Sequence, residues 1–287
     1  MNKYLLSILL LIGVSRPASW STLPAFFLMG FISSGSTTIT PLLILQILLL
    51  SFPACIFYYG INDIYDYESD KINPRKGFIE GVKLEPQYHP YIKNVAFFVG
   101  SLLFLTSFLT LNITNILGMV LLVFLGYFYS APPLRFKEKP PLDSFVNGIG
   151  YFFIPFLIGF SFSSSISFNA GKDVLLIGVC LITVFVMGFH SYSTIVDYSI
   201  DKKVGDKTFA TVFSKRGASF FALLASILAL FFANSSILFK PVTYYYFGFC
   251  SLLFFITFVF PSEKMARVFF GLLCFGFFLW PIIWLLT

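Results

Sequence analysis

The chain has 287 residues, of which 57% are hydrophobic and 11% are charged, and its mean hydropathy is +0.87. Soluble domains carry roughly 25% charged residues, so this composition excludes an ordinary soluble domain and predicts a membrane protein. The formal net charge of +6 does not indicate a nucleic-acid partner, because the basic residues lie in short segments between apolar runs.

The N-terminal segment 1–17 starts with Lys3 and an apolar run of about eleven residues, which is too short to cross a bilayer. The run resembles a signal peptide, with a possible cleavage region at Ala18 and Ser19. We expect instead a short helix that lies at the membrane interface or is partly inserted. Arg16, at the end of this segment, is either a cation of the acceptor pocket or an interface anchor.

Nine apolar runs of spanning length follow, so we predict an all-α polytopic membrane protein. The predicted spans are 18–34, 39–60, 89–111, 113–129, 145–165, 173–196, 217–237, 242–260 and 266–286. Nine spans place the termini on opposite sides of the membrane.

The charges orient these spans. With the N-terminus inside, all of the 19 Lys and Arg residues except Lys172 and Lys240 lie in the cytoplasm, which is the positive-inside asymmetry. We therefore expect a multi-pass protein of the cell (inner) membrane. We treat residues 1–287 as a single domain, and its long cytoplasmic cap loops are 61–88, 130–144 and 197–216.

The segment "NDIYDYESD" at 62–70 concentrates acids at the end of the second span. If the helix continues through residue 70, four polar side chains share an arc about 100° wide and Glu68 points away from it. Those four candidate metal ligands are Asn62, Asp63, Asp66 and Asp70. Oxygen ligands spaced four residues apart suit Mg²⁺, although a solvated helix end at the membrane surface remains the alternative.

A second acidic segment, "DYSIDK" at 197–202, shares the pattern D-Y-x-x-D-K with "DYESDK" at 66–71. Asp197 and Asp201 are again four residues apart, and Asp206 is a second-rank candidate beyond Gly205. The two segments follow the second and the sixth span. The pattern predicts two pseudo-repeated halves, each with a pair of metal-binding carboxylates.

Two acid pairs at one membrane face predict a diphosphate held through metal ions. Basic residues on the same side, among them Arg135, Lys137 and Lys202, are expected to contact the phosphate oxygens directly. The prolines of loop 130–144 prevent helix formation and hold its cations at the mouth of the site.

The stretch "GFHSYSTIVD" places His190, Ser193 and Asp197 within about 60° of one helical face. His190 then projects two turns deeper into the membrane than Asp197, where a polar imidazole is costly unless it has a role. It is either a catalytic proton acceptor or hydrogen-bond donor, or a histidine that packs with its polar atoms satisfied.

A metal-held diphosphate beside an apolar chamber predicts prenyl transfer, since Mg²⁺ neutralises the leaving diphosphate and assists ionisation of the allylic C–O bond. A membrane pocket keeps water from the resulting cation, and aromatic rings, which are 20% of this chain, stabilise it. The expected partners are a prenyl diphosphate donor, a lipophilic acceptor and the lipid bilayer.

At these residues the sequence resembles the UbiA-type intramembrane prenyltransferases. "NDIYDYESD" is similar to the family's N-D-x-x-D-x-x-x-D motif, and "DYSID" is similar to its second D-x-x-x-D. The resemblance implies nine transmembrane helices around a central cavity and two Mg²⁺ ions that bridge the diphosphate. It assigns Asn62, Asp66 and Asp70 to one metal side and Asp197 and Asp201 to the other. It also matches the family's diphosphate-binding segment after the fourth helix to Tyr129, Arg135 and Lys137.

Within the family, "YSAPPLRFKEKPPLDSFVNG" and "HSYSTIVDYSIDKKVGDKTFAT" resemble the lycopene elongase branch. That branch implies Mg²⁺-dependent addition of a C5 unit to a carotenoid. The alternatives are prenylation of an aromatic quinone precursor or of a glyceryl phosphate lipid. A cation or phosphate transporter is a further alternative, but nearly all ionisable residues sit at one face rather than at the bilayer midplane.

Overall fold

The computed structural model describes residues 3–73, 76–77, 81–163, 170–232 and 238–287, and every regular element within them is helical. The α-helices are α1 (Lys3–Ser15), α2 (Thr22–Ser33), α3 (Pro41–Leu50), α4 (Phe52–Tyr65), α5 (Tyr67–Ile72), α6 (His89–Phe108), α7 (Ile113–Ser130), α8 (Leu142–Gly148), α9 (Ile154–Phe160), α10 (Ala170–Ser193), α11 (Tyr198–Val204), α12 (Phe209–Phe231), α13 (Pro241–Val259) and α14 (Glu263–Leu286). Short 3₁₀ turns occur at Pro17–Ser19, Pro86–Tyr88 and Phe136–Glu138, and a π-helical turn at Ile149–Phe153 joins α8 to α9. The predicted all-α class is confirmed.

Eight helical segments in the described ranges are long and apolar enough to cross a bilayer, and a bent N-terminal pair makes a ninth if it counts as one span. The eight are Pro41–Tyr65, Pro86–Phe108, Ile113–Ser130, Leu142–Phe160, Leu175–Ser193, Phe209–Phe231, Pro241–Val259 and Glu263–Leu286. Each predicted span overlaps one of these segments. The two spans predicted to meet at Asn112 are separate helices, because its side chain accepts hydrogen bonds from Thr114 N (2.9 Å) and Asn115 N (3.2 Å) and so caps α7.

The N-terminal segment forms a helix, as expected. Segment 1–17 contains α1, whose Val14 is fully buried against Leu84 and Ile92, and Leu5–Ser15 meets Pro17–Ser33 at an angle of 55°. The bend lies at Arg16, which has a left-handed φ of 50°, and at Pro17, which has no N–H to continue the helix.

The helices form two compact units, one made of Met1–Arg135 with Ile154–Ser163 and the other of Phe136–Phe153 with Ser164–Thr287. In the first unit, α2 and α9 approach backbone to backbone. A Cβ on Gly30 would lie 1.9 Å from the Phe156 carbonyl oxygen, and one on Gly159 would lie 1.8 Å from the Phe27 carbonyl oxygen. Small residues allow this close contact, which is typical of helix pairs in membranes.

In the second unit, α10 packs along α12 through small residues of the same kind. A Cβ on Gly188 would lie 2.7 Å from the Cβ of Ala225 and 3.0 Å from the Cα of Ala222. Both alanines are buried, so the helix pair has close contact along this face.

Some predicted features lie outside the described residues. They are the side chains of Lys3 and Lys172, residues 74–75 and 78–80 of loop 61–88, and the predicted span ends 164–165 and 233–237.

We expect Gly159→Ala to destabilise the protein by about 1–3 kcal/mol, because the methyl group would force two helix backbones apart. Gly271→Ala is the matched control, since nothing lies within 4 Å of its Cβ position and alanine favours a helix. Thermal unfolding in detergent measures both. Equal melting temperatures for the two variants would contradict the close packing of α2 on α9.

Candidate functional site

The acids of the first motif lie where α4 passes into α5. Asp66 interrupts the helix only slightly, with φ −104° and ψ 8°. The Asp66 N–H still donates to Asn62 O, and the Asp70 N–H donates to Asp66 O, both at 2.9 Å. The Asn62 amide donates to Asp66 Oδ2 at 2.6 Å, so the predicted ladder of side chains is present. Glu68 points away and is exposed, as predicted.

Asn62 also connects its helix to two other parts of the first unit. Its Nδ2 donates to Ser130 Oγ at 3.0 Å, at the end of α7, and its Oδ1 accepts from Arg16 Nη2 at 3.1 Å. Sequence analysis did not find Ser130. Its only signal was its position beside Tyr129, which is half-buried on the same helix.

Asp63 and Asp70 are matched by two cations. Asp63 Oδ1 lies 2.8 Å from Arg16 Nη2 and 2.9 Å from Lys76 Nζ, and Lys76 Nζ also lies 2.7 Å from Asp70 Oδ2. The Arg16 guanidinium stacks over the Tyr59 ring at 4.2 Å. Arg16 therefore belongs to the charge network of the first motif rather than acting only as an interface anchor.

The side chains of the first cluster offer the oxygen donors that a magnesium ion prefers, although their acids are not grouped around one metal position. Among the described residues, no three His, Cys, Asp or Glu side chains are grouped so that they could hold a metal ion. The donors are nevertheless all oxygens, and Asp63 Oδ2 is buried without a hydrogen-bond partner. Burial raises the pKa of Asp70 to about 6, although the charge of Lys76 opposes this. Further positive charge beside Asp70 would therefore be favourable.

Arg135 and Lys137, predicted to contact phosphate, lie close to acids. Arg135 Nη2 is 3.9 Å from Asp66 Oδ1, and the Arg135 backbone has a left-handed φ of 41°. Lys137 belongs to the second unit, where its charge acts on Asp201.

The second motif repeats the local backbone of the first. Asp197 has φ −111° and ψ 12°, and the Asp201 N–H donates to Asp197 O at 2.9 Å. A short helix follows in both motifs, α5 after Asp66 and α11 after Asp197. The predicted internal repeat is therefore present as a repeated conformation.

Asp201 carries a strongly perturbed carboxyl group. Burial, together with the charges of Asp197 and Asp206, raises its pKa to about 7, and Thr208 and Lys137 oppose this shift. The Thr208 hydroxyl donates to Asp201 Oδ2 at 3.1 Å. Crowded carboxylates of this kind are typical of cation sites.

Two residues of α14 hold the start of α11. Arg267 Nε donates to Val196 O at 2.9 Å, and Arg267 Nη2 pairs with the Glu263 carboxylate. The same carboxylate accepts hydrogen bonds from Ser199 Oγ and, at 3.2 Å, from Ser199 N. Sequence analysis treated Arg267 only as a cytoplasmic charge. The link joins residues far apart in the chain, and no local pattern indicates it.

Lys202 and His190 have different surroundings. Lys202 is exposed and its ammonium lies 5.8 Å from the Tyr198 ring, so it sits beside an aromatic ring of its own helix. His190 is half-buried on α10, and its Nδ1 lies 3.1 Å from Ser144 Oγ of α8.

Comparisons with known proteins agree with this picture. The sequence model described as the UbiA prenyltransferase family matches residues 21–282. The chain is 33% identical over 223 residues to a lycopene elongase/hydratase from Corynebacterium glutamicum, covering 75% of this chain and 73% of the relative. It is 30% identical over 227 residues to a lycopene elongase/hydratase from Haloarcula japonica, covering 78% and 74%.

The fold is also similar to solved structures. A UbiA homolog from Archaeoglobus fulgidus bound to GPP and Mg²⁺ matches with a TM-score of 0.65 and 18% identity, covering 96% of this chain and 99% of that one. The same homolog bound to DMAPP and Mg²⁺ gives a TM-score of 0.66, with 18% identity and coverage of 97% and 99%. At this identity the likeness establishes the fold alone.

The pKa of Asp201 predicts a stability that depends on pH. Its folded-state pKa of about 7 exceeds the ordinary 3.8, so the carboxyl group destabilises the folded protein increasingly from about pH 4 to 7 and fully above pH 7. Without divalent metal, Asp201→Asn should therefore raise the melting temperature at pH 8, and this gain should shrink toward pH 5. The exposed Glu68→Gln is the control. A gain that is equal at pH 5 and pH 8 would contradict the assignment.

Removing Arg267 should loosen the second motif. We expect Arg267→Ala to speed hydrogen exchange of the α11 amides, because the Val196 carbonyl and the Glu263 carboxylate would both lose a partner. Lys264→Ala, an exposed change on the same helix, should leave this exchange as in the wild type. Hydrogen exchange followed by mass spectrometry compares them, and unchanged α11 exchange in Arg267→Ala would show that the link does not hold α11.

Proposed function

The chain belongs to the UbiA prenyltransferase family and is a multi-pass membrane prenyltransferase, and we propose that it adds a C5 allylic group to a carotenoid such as lycopene, with Mg²⁺ as cofactor. The observation that carries this proposal is the repeated D-Y-x-x-D-K segment, which has the same backbone conformation at Asp66 and at Asp197. In each copy a second acid with a raised pKa follows one turn later.

In this proposal the acids of both motifs are ligands of the Mg²⁺ that serves prenyl diphosphate. The residues that would hold Mg²⁺ are Asn62, Asp63, Asp66, Asp70, Asp197 and Asp201. Bound Mg²⁺ would neutralise the charge that develops on the leaving diphosphate. Of these residues, Asp63 already meets Arg16 and Lys76, so we assign it the task of holding those two cations as well.

The basic residues would bind the diphosphate itself. Arg135 lies near Asp66 and Lys137 acts on Asp201, so each approaches an acid expected to carry metal. Arg135 Nη2 lies 3.9 Å from Asp66 Oδ1, and a guanidinium can also donate directly to phosphate oxygens. Tyr129 and Lys202 remain in the proposed set, and Lys76 joins it because it bridges Asp63 and Asp70.

Two observations support a carotenoid acceptor. Both relatives quoted above are described as lycopene elongase/hydratase. Arg16, the cation expected in the acceptor pocket, directs its guanidinium to Asp63 and Asn62, which supports an acceptor without a carboxylate. His190 is assigned to the acceptor side of the reaction.

The proposed orientation places the N-terminus and both acid clusters in the cytoplasm. The distribution of Lys and Arg supports it, since nearly all of them fall in predicted inner loops. The donor diphosphate would then reach the site from the cytoplasm.

Expression in a lycopene-making host tests the function. We expect new carotenoids that are longer than lycopene by one or two C5 units, detected by pigment chromatography and mass spectrometry. Membranes that transfer labelled dimethylallyl groups to an aromatic acid or a glyceryl phosphate, and never to lycopene, would reject the carotenoid acceptor. Ion flux in proteoliposomes that survives Asp66→Ala and Asp197→Ala would instead favour a transporter.

Asp70→Asn and Asp201→Asn should each lower prenyl transfer by at least about 100-fold, because a neutral amide lacks the negative charge with which a carboxylate holds Mg²⁺. The control is Glu68→Gln, which removes an exposed acid from the same segment and should leave transfer unchanged. Thermal unfolding must show that all three variants are folded. Wild-type transfer by Asp70→Asn or Asp201→Asn would contradict the metal assignment.

A further inference from the structure

A series of basic residues without acidic partners runs from the end of α11 into α12. The segment 203–216 contains four cations and a single acid, Asp206. Three of the cations are exposed, and Lys215 is half-buried with its ammonium 4.9 Å from the centre of the Tyr198 ring. Among the described residues, no carboxylate forms an ion pair with any of the four, which are Lys203, Lys207, Lys215 and Arg216. Such a cluster of like charges favours an anion from outside the chain.

Apolar side chains are exposed among these cations. Val204, Val212 and Phe213 are 39%, 51% and 45% exposed. Val212 and Phe213 come shortly before the apolar run that starts at residue 217, within the candidate spanning segment Phe209–Phe231. They therefore lie near the membrane surface, where an apolar side chain can enter the edge of the acyl region. A group of exposed apolar residues is unfavourable in water and indicates a surface that contacts lipid or protein.

The backbone of α12 breaks at Ser214, between the apolar pair and the last two cations. Ser214 has φ 71° and ψ 163°, a combination that residues other than glycine rarely adopt. Its Oγ accepts a hydrogen bond from Gly217 N at 3.2 Å and so caps the helix that follows. At the other end, Thr208 and Thr211 form a capping box. Residues 209–213 are therefore a separate helical turn at the start of the spanning segment.

We propose that the segment 203–216 is a membrane-interface element that binds the phosphate headgroups of anionic phospholipids. A lipid fits better than a soluble anion, because exposed apolar side chains lie among the cations and the spanning helix follows directly. Lys and Arg side chains are long enough to reach headgroup phosphates while their apolar neighbours contact the acyl chains. Basic clusters beside a spanning helix bind anionic lipids in this way. The inference does not depend on the reaction or on the acceptor.

The cations of the interface element suit lipid phosphate in kind and in number. A phosphodiester carries a negative charge that a lysine meets as a point charge and that Arg216 can meet with two parallel N–H donors. Each Lys or Arg beside an anionic leaflet strengthens association by about fivefold, so four together distinguish this segment from a lone surface lysine. Thr208 belongs to the same segment and binds Asp201, so a bound lipid would also hold the second motif in place.

The test uses the whole chain in nanodiscs of phosphatidylcholine that contain about 1% photoreactive phosphatidylglycerol. After irradiation, mass spectrometry of peptic peptides measures the labelling of 203–216. Unlabelled phosphatidylglycerol in the disc and soluble glycerol phosphate are compared as competitors. The test variant removes three cations of the interface element and is Lys203→Gln/Lys207→Gln/Arg216→Gln. The control removes three exposed lysines from other segments of the predicted inner face and is Lys93→Gln/Lys139→Gln/Lys264→Gln.

We expect the wild type to be labelled within 203–216 and unlabelled phosphatidylglycerol to displace the label, whereas glycerol phosphate should not. The test variant should lose labelling by at least about tenfold, because three of its four charges are gone, and the control should stay within about twofold of the wild type. Both change only exposed side chains, so we expect wild-type melting temperatures. If the test variant is unstable, Lys203→Gln and Arg216→Gln are used singly, and each should lose labelling by about fivefold.

Four results would overturn the proposal. An unlabelled segment 203–216 in the wild type would show that no anionic lipid binds there. Labelling that persists in the test variant would show that its cations do not hold the lipid. An equal loss in the control would assign the effect to the charge of the whole face. Displacement by glycerol phosphate as effective as by unlabelled phosphatidylglycerol would show that the segment binds a soluble anion. Prenyl transfer is not measured, so the outcome is independent of the proposed function.

Discussion

Carboxylates that lie among apolar helices must be matched by positive charge or by hydrogen-bond donors, because removing an ion from water is costly. In the first unit Arg16 and Lys76 surround Asp63, and this requirement explains why Arg16 lies in a left-handed conformation where the N-terminal helix bends. In the second unit the backbone N–H of Phe209 meets Asp143. Asp70 and Asp201 have less positive charge and fewer hydrogen-bond donors beside them, and they are two of the acids to which we assign a cation.

The two motifs share a backbone conformation, but different contacts stabilise it in each motif. Asp66 and Asp197 interrupt their helices with nearly the same backbone angles, and each is followed by a helix that starts with tyrosine. The first motif is stabilised by two side-chain cations from outside it, Arg16 and Lys76. The second is stabilised by donors of the following helix and by the Arg267–Glu263 pair.

At the N-terminus of α12, the residues that cap the helix also bind acidic side chains. Thr208 caps the helix and also binds Asp201, while Thr194 accepts a hydrogen bond from Ala210 N at 2.9 Å. Asp143 accepts from Phe209 N between them. The first amides of a helix have no partner within it, so they supply donors that can hold a buried carboxylate and a hydroxyl in fixed directions. A cap therefore also orders the groups around Asp201.

The sequence by itself determined the helical class, the spans and the acid ladder, because hydrophobic runs and a four-residue spacing act over one helix and need no distant partner. It also indicated that His190 lies on the face of Asp197. Only the tertiary structure decided that Arg16 and Lys76 neutralise Asp63, that Arg267 holds the start of α11, and that Ser144 contacts His190. These contacts join residues at least 13 positions apart in the chain, and a pattern in one helix carries no information about which group of another segment completes a buried charge.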